Sequence, residues 1–300
     1  MPAVTAAGNP PLSRFPGRRG GRAVLAFLII LAGLIALWEG YKLLGAATEG
    51  KVPFTTADLP IRPDDLSMPH VWQIMAALAA PARRGGEPLA LLLAEAAWVT
   101  FLEALAGFAA GSLIGFALGL LFVRSPLAEK GLFPWVVASQ TVPLVAIAPM
   151  VVLWAGQARL PLWIPVAALA AYLSFFPVTI NTVRGLRSPA NTATELFRSY
   201  AASPGQELRK LRIPASLPYV FTALKVAAAA SVVGTIVGEL PSGLPNGLGR
   251  QLLTFAYYYI SGPEKLYASV LFAALLGITF VTIVALVERF LIPPARRVET

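Results

Sequence analysis

Six stretches of this chain stay apolar long enough to cross a lipid bilayer, which restricts its fold more than any motif does. A helix rises about 1.5 Å per residue, so roughly 20 apolar residues span the hydrocarbon core. Lipid offers backbone groups no partners, and helices are the only open-chain way to satisfy them. The stretches are 24–45, 95–123, 133–155, 160–182, 217–239 and 267–291, the third interrupted by Pro143 and Pro149. Composition agrees, with 57% hydrophobic residues and only 13% charged. The expectation is an all-α polytopic membrane protein with six transmembrane helices. In chain order it has a basic N-terminal tail (1–23), a first helix (24–45), a long loop (46–94) with a short interfacial helix near His70–Ala80, a five-helix core (95–291) and a C-terminal tail (292–300).

Charge sets the orientation. Fifteen Lys and Arg flank the spans on one side: Arg14, Arg18, Arg19 and Arg22, then Arg124 and Lys130, then six from Arg184 to Arg212, then Arg289, Arg296 and Arg297. Eight lie on the other side, diluted by acidic residues of the long loop. The positive-inside rule then puts both termini and the loop after the fourth span in the cytoplasm, and 46–94 outside. The first span is too long for a secretory signal's apolar region and is read as a retained helix. The net charge of +9 is topological and not a nucleic-acid footprint, since no basic soluble domain is present. There is no Cys, and His70 is the one His, so no thiol chemistry and no metal cluster is expected; His70 reads as a surface residue.

Gly45, Gly50 and Lys51 fit most of a phosphate-binding loop, but Val52 stands where Ser or Thr must reach magnesium, so the chain carries no ATP site of its own. Gly107, Gly111, Gly115 and Gly119 recur every fourth residue along one helical stripe, a device for close helix packing in lipid. Charged residues at membrane depth are functional candidates, which singles out Glu103 and Lys225. Their depths differ too much for a pair, and Lys225 is expected to snorkel to the cytoplasmic headgroups. Glu103, Gln140, Thr141, Asn181, Ser231, Thr235 and Glu239 are candidates for lining a translocation path, with Thr179 beside them. No catalytic residue is assigned. After Glu239, PSGLPNGLG cannot form a regular helix, and irregular backbone at that depth must be buried in protein or line water.

The polar interruption between residues 183 and 218 is the sharpest local signal. Thr192 with Glu195, and Ser203 with Gln206, have capping-box spacing, and Pro204 sits at the favoured first helical position. Two short helices follow, at about 193–201 and 204–212, the second ended by Pro214. Leu196, Phe197, Tyr200 and Leu208 add apolar surface suited to a soluble partner's groove.

At these residues the chain resembles the permease subunits of binding-protein-dependent ABC importers. Their signature is Glu-Ala-Ala, three residues, Gly, nine residues, Ile, one residue, Leu-Pro; here Glu195, Leu196 and Phe197 open it, Ala201 holds the glycine position, Leu211 the isoleucine, and Ile213 with Pro214 the end. Stretches 100–125, 139–156 and 175–185, with Gly247, Leu248 and Gly249, resemble the nitrate, sulfonate and taurine branch. The resemblance implies a type I importer permease bundle in the bacterial inner membrane, with a coupling loop at 183–216. It implies that Glu195, Leu196, Phe197, Arg198, Tyr200, Ala201, Ala202, Ser203, Arg209 and Pro214 couple to cytoplasmic ATPase subunits, which hold ATP and magnesium. A second permease copy as a homodimer, membrane lipid, and a periplasmic or lipid-anchored solute-binding protein complete the implied partners. The solute is left as a small anion, sulfonate or other small organic nutrient. The alternatives are a secondary transporter or an integral-membrane enzyme; the second would need clustered intramembrane carboxylates, and those of this sequence read as isolated. A left-handed backbone at Ala201 would cost roughly 1–2 kcal/mol, so either that turn is right-handed or the loop couples with altered geometry.

Overall fold

The computed structural model describes residues 17–52, 57–83 and 85–292; within them, nothing is said of the side chains of 17–24. The basic residues of both expected tails, Arg14, Arg18, Arg19, Arg22, Arg296 and Arg297, therefore lie outside the described side chains, as does Arg84.

The chain divides into two compact units after Trp72. The first holds α1 (Gly17–Ala47) and the segment that follows it. From Leu25 to Leu37 the apolar side chains of α1 are largely exposed, the mark of a helix solvated by lipid. Its C-terminal end is polar and fixed: Lys42 pairs with Asp65, Trp38 Nε1 donates to Pro69 O (3.1 Å), and Tyr41 donates to Ile61 O (2.9 Å). His70 is half-buried instead of a free surface residue. Its Nδ1 lies 2.6 Å from Glu39 Oε2 and its ring stacks on Trp72, while Glu39 also accepts from Val71 N. A short helix, α2 (Val71–Ala79), stands where one is expected near His70–Ala80.

The second unit is built on α3 (Leu89–Arg124), α6 (Trp163–Leu186) and α9 (Ile213–Ser242). Water's hydrophobic drive is absent between helices in lipid, so close packing must hold them, and small residues make it possible. A Cβ on Gly107 would meet Ala170 Cβ at 2.4 Å, and one on Gly115 would meet Phe175 O at 2.4 Å; Gly111 and Gly119 approach α6 as closely. Gly234 of α9 likewise lies against the Ala170 backbone of α6. Flanking this trio, α11 (Pro263–Leu291) wedges Phe280 edge-on against Phe101 and Phe108 of α3.

The third expected span is not one rod. It is α4 (Pro126–Ser139) and α5 (Leu144–Gln157), bent by 100°. Pro143 forces the break: it caps α5 in an extended conformation, ψ 114°. Pro134 and Pro149 stay inside their helices. Among the described residues five helices are long and apolar enough to cross a membrane, six if the bent pair counts as one span.

Candidate functional site

Two places concentrate the chemistry. The first is the polar loop. Here α7 (Asn191–Ser199) starts earlier than the Thr192 cap predicts: Ala190, extended after Pro189, is its N-cap, and no side chain caps it, so the Thr192–Glu195 box does not form. The Ser203–Gln206 box does form, with both reciprocal hydrogen bonds, and opens α8 (Pro204–Glu207). Pro214 does not end this second helix. A π turn, Leu208–Arg212, follows α8 and passes directly into α9, leaving Pro214 in the first turn of α9, where its missing N–H costs little. Residues 204–242 are thus one 39-residue helical rod. Arg212 pairs with Glu207 across the π turn (2.7 Å).

Between α7 and α8 the chain turns at Ala201 with φ 51°, inside the left-handed region. The right-handed alternative is thereby corrected. The glycine-like turn is kept and alanine bears the strain. Glu195, Leu196, Arg198, Tyr200, Ala201, Ser203 and Arg209 are exposed, while Phe197, Ala202 and Pro214 are half-buried. Leu196 at 54% and Tyr200 at 79% exposure form an apolar edge on a charged loop.

The second place is buried. Glu239, near the end of α9, is fully inaccessible, and Glu103 of α3 is 5% exposed. The two carboxyl groups lie within hydrogen-bonding reach of each other, so they are clustered and not isolated. The sequence places them on separate helices, and only the α3–α9 packing joins them. Thr100 Oγ1 donates to Glu239 Oε1 (2.6 Å) and accepts from Leu248 N (2.8 Å), while Gly249 N donates to Glu239 Oε2 (2.5 Å). Gly247 and Gly249 wrap this carboxylate. A Cβ on Gly247 would fall 2.7 Å from Glu239 Oε1, and its φ of 133° is itself a glycine conformation. Thr100 and Leu248 entered the sequence reading only within the family resemblance and with no role, because only the fold brings them to Glu239. The segment after Glu239 is less irregular than PSGLPNGLG predicts: α9 continues through Pro241 to Ser242, and α10 (Leu248–Tyr257) begins directly after Gly247.

The remaining candidates are dispersed. Gln140 and Thr141 are exposed at the bend between α4 and α5. Asn181 and Thr179 bond carbonyls of their own helix, Pro177 O and Phe175 O. Ser231 donates to Ala228 O, and buried Thr235 Oγ1 has no protein partner. Lys225, expected to reach toward the cytoplasmic headgroups, pairs with Glu288 near the C-terminal end of α11 at 3.0 Å.

The family described as binding-protein-dependent transport system inner membrane component matches residues 107–297. The formylaminopyrimidine transport permease ThiX of Halalkalibacterium halodurans is 32% identical over 189 residues, covering 62% of this chain and 72% of that protein. The putative aliphatic sulfonates transport permease SsuC of Bacillus subtilis is 29% identical over 136 residues, covering 45% and 48%. Among solved structures, a chain of the inward-facing MetNI methionine ABC transporter superposes with TM-score 0.54 at 18% identity, over 69% of this chain and all of that one.

Proposed function

The chain belongs to the inner membrane components of binding-protein-dependent transport systems, and from that premise we propose how its parts divide the work. As a multi-pass permease subunit of an ABC importer, within reach of the nitrate and sulfonate branch, it is a transport subunit and not an enzyme. Subunits of this family act with an ATPase and a solute-binding protein, and the readings as a secondary transporter or membrane enzyme fall away.

In our reading the ATPase docks on the loop of Glu195, Leu196, Phe197, Arg198, Tyr200, Ala201, Ala202, Ser203, Arg209 and Pro214. The observation that carries this is the helical rod from Pro204 to Ser242. Its base is fixed by the Ser203–Gln206 box, beside the exposed Leu196 and Tyr200, and its far end holds Glu239. A push at the loop is thereby delivered along α9 to the buried carboxylates, a shift of a packed helix of the kind that switches bistable interfaces. ATP and magnesium belong to the partner, and this chain binds no cofactor. The loop and both termini face the cytoplasm. Exposed Gln140 and Thr141 line the path once a second copy closes it as a homodimer, with Asn181, Ser231, Thr235, Glu103 and Glu239 behind them. The glycines at 107, 111, 115 and 119 hold the frame. The solute is a small anion, sulfonate or other small organic nutrient, as the names of the relatives suggest.

Reconstitution tests the reading. Uptake into proteoliposomes should require the ATPase, and Glu195→Lys should lower ATPase co-purification about tenfold while leaving membrane insertion unchanged. Uptake without an ATPase, or unchanged co-purification, would overturn it.

A further inference from the structure

Glu103 and Glu239 pose a hydrogen-bonding problem that their surroundings answer in one way. An ionised carboxylate only accepts hydrogen bonds, so two carboxyl groups in contact need a proton between them. Glu239 already takes two donors, the Thr100 hydroxyl on Oε1 and the Gly249 amide on Oε2, which is the environment of an ionised group. Glu103 has no such donors, and its Oε2 is buried without a partner. The proton therefore sits on Glu103, which donates to Glu239.

We propose that Glu103 and Glu239 form a protonation site whose single proton latches the segment 243–249 onto α3. The latch has three ties to the same carboxylate. Gly249 N binds it directly, Leu248 N binds it through Thr100, and the Gly247 backbone closes over it. Ser242, just before the segment, is buried, and its Oγ accepts from Leu244 N. When the Glu103 O–H bond breaks and its proton passes to water, two negative charges face each other at low dielectric. Glu239 is then driven from α3, and Gly249 and Leu248 are released with it.

No neighbouring charge compensates that loss. On the elements packed around the pair, the charged groups are Glu95 and, at the far end, Arg124 of α3, Arg184 of α6, Lys225 of α9, Arg250 of α10, and Glu264, Lys265, Glu288 and Arg289 of α11. Lys225 is committed to Glu288, Lys265 donates to Ala82 O, and Arg250 is exposed. Among the described residues none forms an ion pair with Glu103 or Glu239. This inference stands on the fold and not on the transport reading, and its test involves no transport.

The chain has no Cys, so one introduced thiol reports alone. Ser242→Cys in the full-length chain in membrane vesicles would be labelled with N-ethylmaleimide at pH 6 and pH 9, each rate divided by that of exposed Ser261→Cys. The ratio should rise about tenfold with pH, and adding Glu103→Gln, whose amide donates permanently, should hold it low at both. A flat ratio in the Glu103 chain, or an undiminished rise with Glu103→Gln, would overturn the latch. Should Glu103→Gln not insert, the infrared band of a protonated carboxyl, present at pH 6 and reduced at pH 9 in the unsubstituted chain, gives the reading in its place; its absence at pH 6 counts against the proposal.

Discussion

Ala201 shows how far a single residue can be understood from sequence and where that stops. The resemblance to the importer signature assigns it the position of a glycine, and the strain question follows from its side chain. The sign of φ could not follow, because it is set by how α7 and α8 meet. With φ at 51°, alanine carries roughly 1–2 kcal/mol that glycine would not, against about 0.4–1 kcal/mol that glycine adds in unfolded-chain entropy. Ala201→Gly should therefore steady the loop by about 0.5–1 kcal/mol, seen as two- to fivefold slower amide exchange at residues 200–203, while Ala201→Val should quicken it. Glu103 and Glu239 teach the opposite lesson. Each was visible as a charge at membrane depth, but their meeting, with Thr100 and the Gly249 amide, depends on two helices whose facing sides no local pattern reveals.

At the scale of elements, the glycine stripe of α3 was fully legible, since its four-residue spacing is itself the geometry of one helix face; the partner, α6, was not. Gly115→Leu should prevent α3 from seating on α6, because a Cβ there already meets Phe175 O at 2.4 Å. Gly115→Ala should cost about 1–3 kcal/mol by overpacking. Gly277→Ala on α11, with nothing within 4 Å of the new Cβ, should be neutral or raise stability by up to ~1 kcal/mol. Thermal unfolding of the purified chain in detergent separates the three. Proline was a partial guide to the other elements. Pro143 marked a real break, yet its consequence was a 100° bend. Pro214 looked like a stop and was absorbed by the turn ahead of it. Proline fixes its own φ and removes one donor, and whether the chain bends there is decided by the carbonyls around it.

For the whole molecule, the number of spans followed from length and hydropathy, whereas the side on which each end emerges rests on charge alone. Single-cysteine labelling resolves it: Ser203→Cys should react with a membrane-impermeant maleimide only from the cytoplasmic side, and Ser261→Cys only from the outer side. Reaction of both from one side would reverse or break the proposed topology. Between those two faces runs the rod from Pro204 to Ser242, and the π turn near its start governs what its far end presents. A π turn takes up one residue more than the α turn it replaces, and each residue of an α-helix advances the chain by about 100°. Every side chain beyond Arg212 is therefore rotated by that amount from where an unbroken α-helix of the same sequence would carry it. Gly234, Gly238 and Glu239 meet α6 and α3 because of this offset, so the carboxylate deep in the bundle is timed, as a cam is by its shaft, by one surplus residue in a loop at the opposite surface.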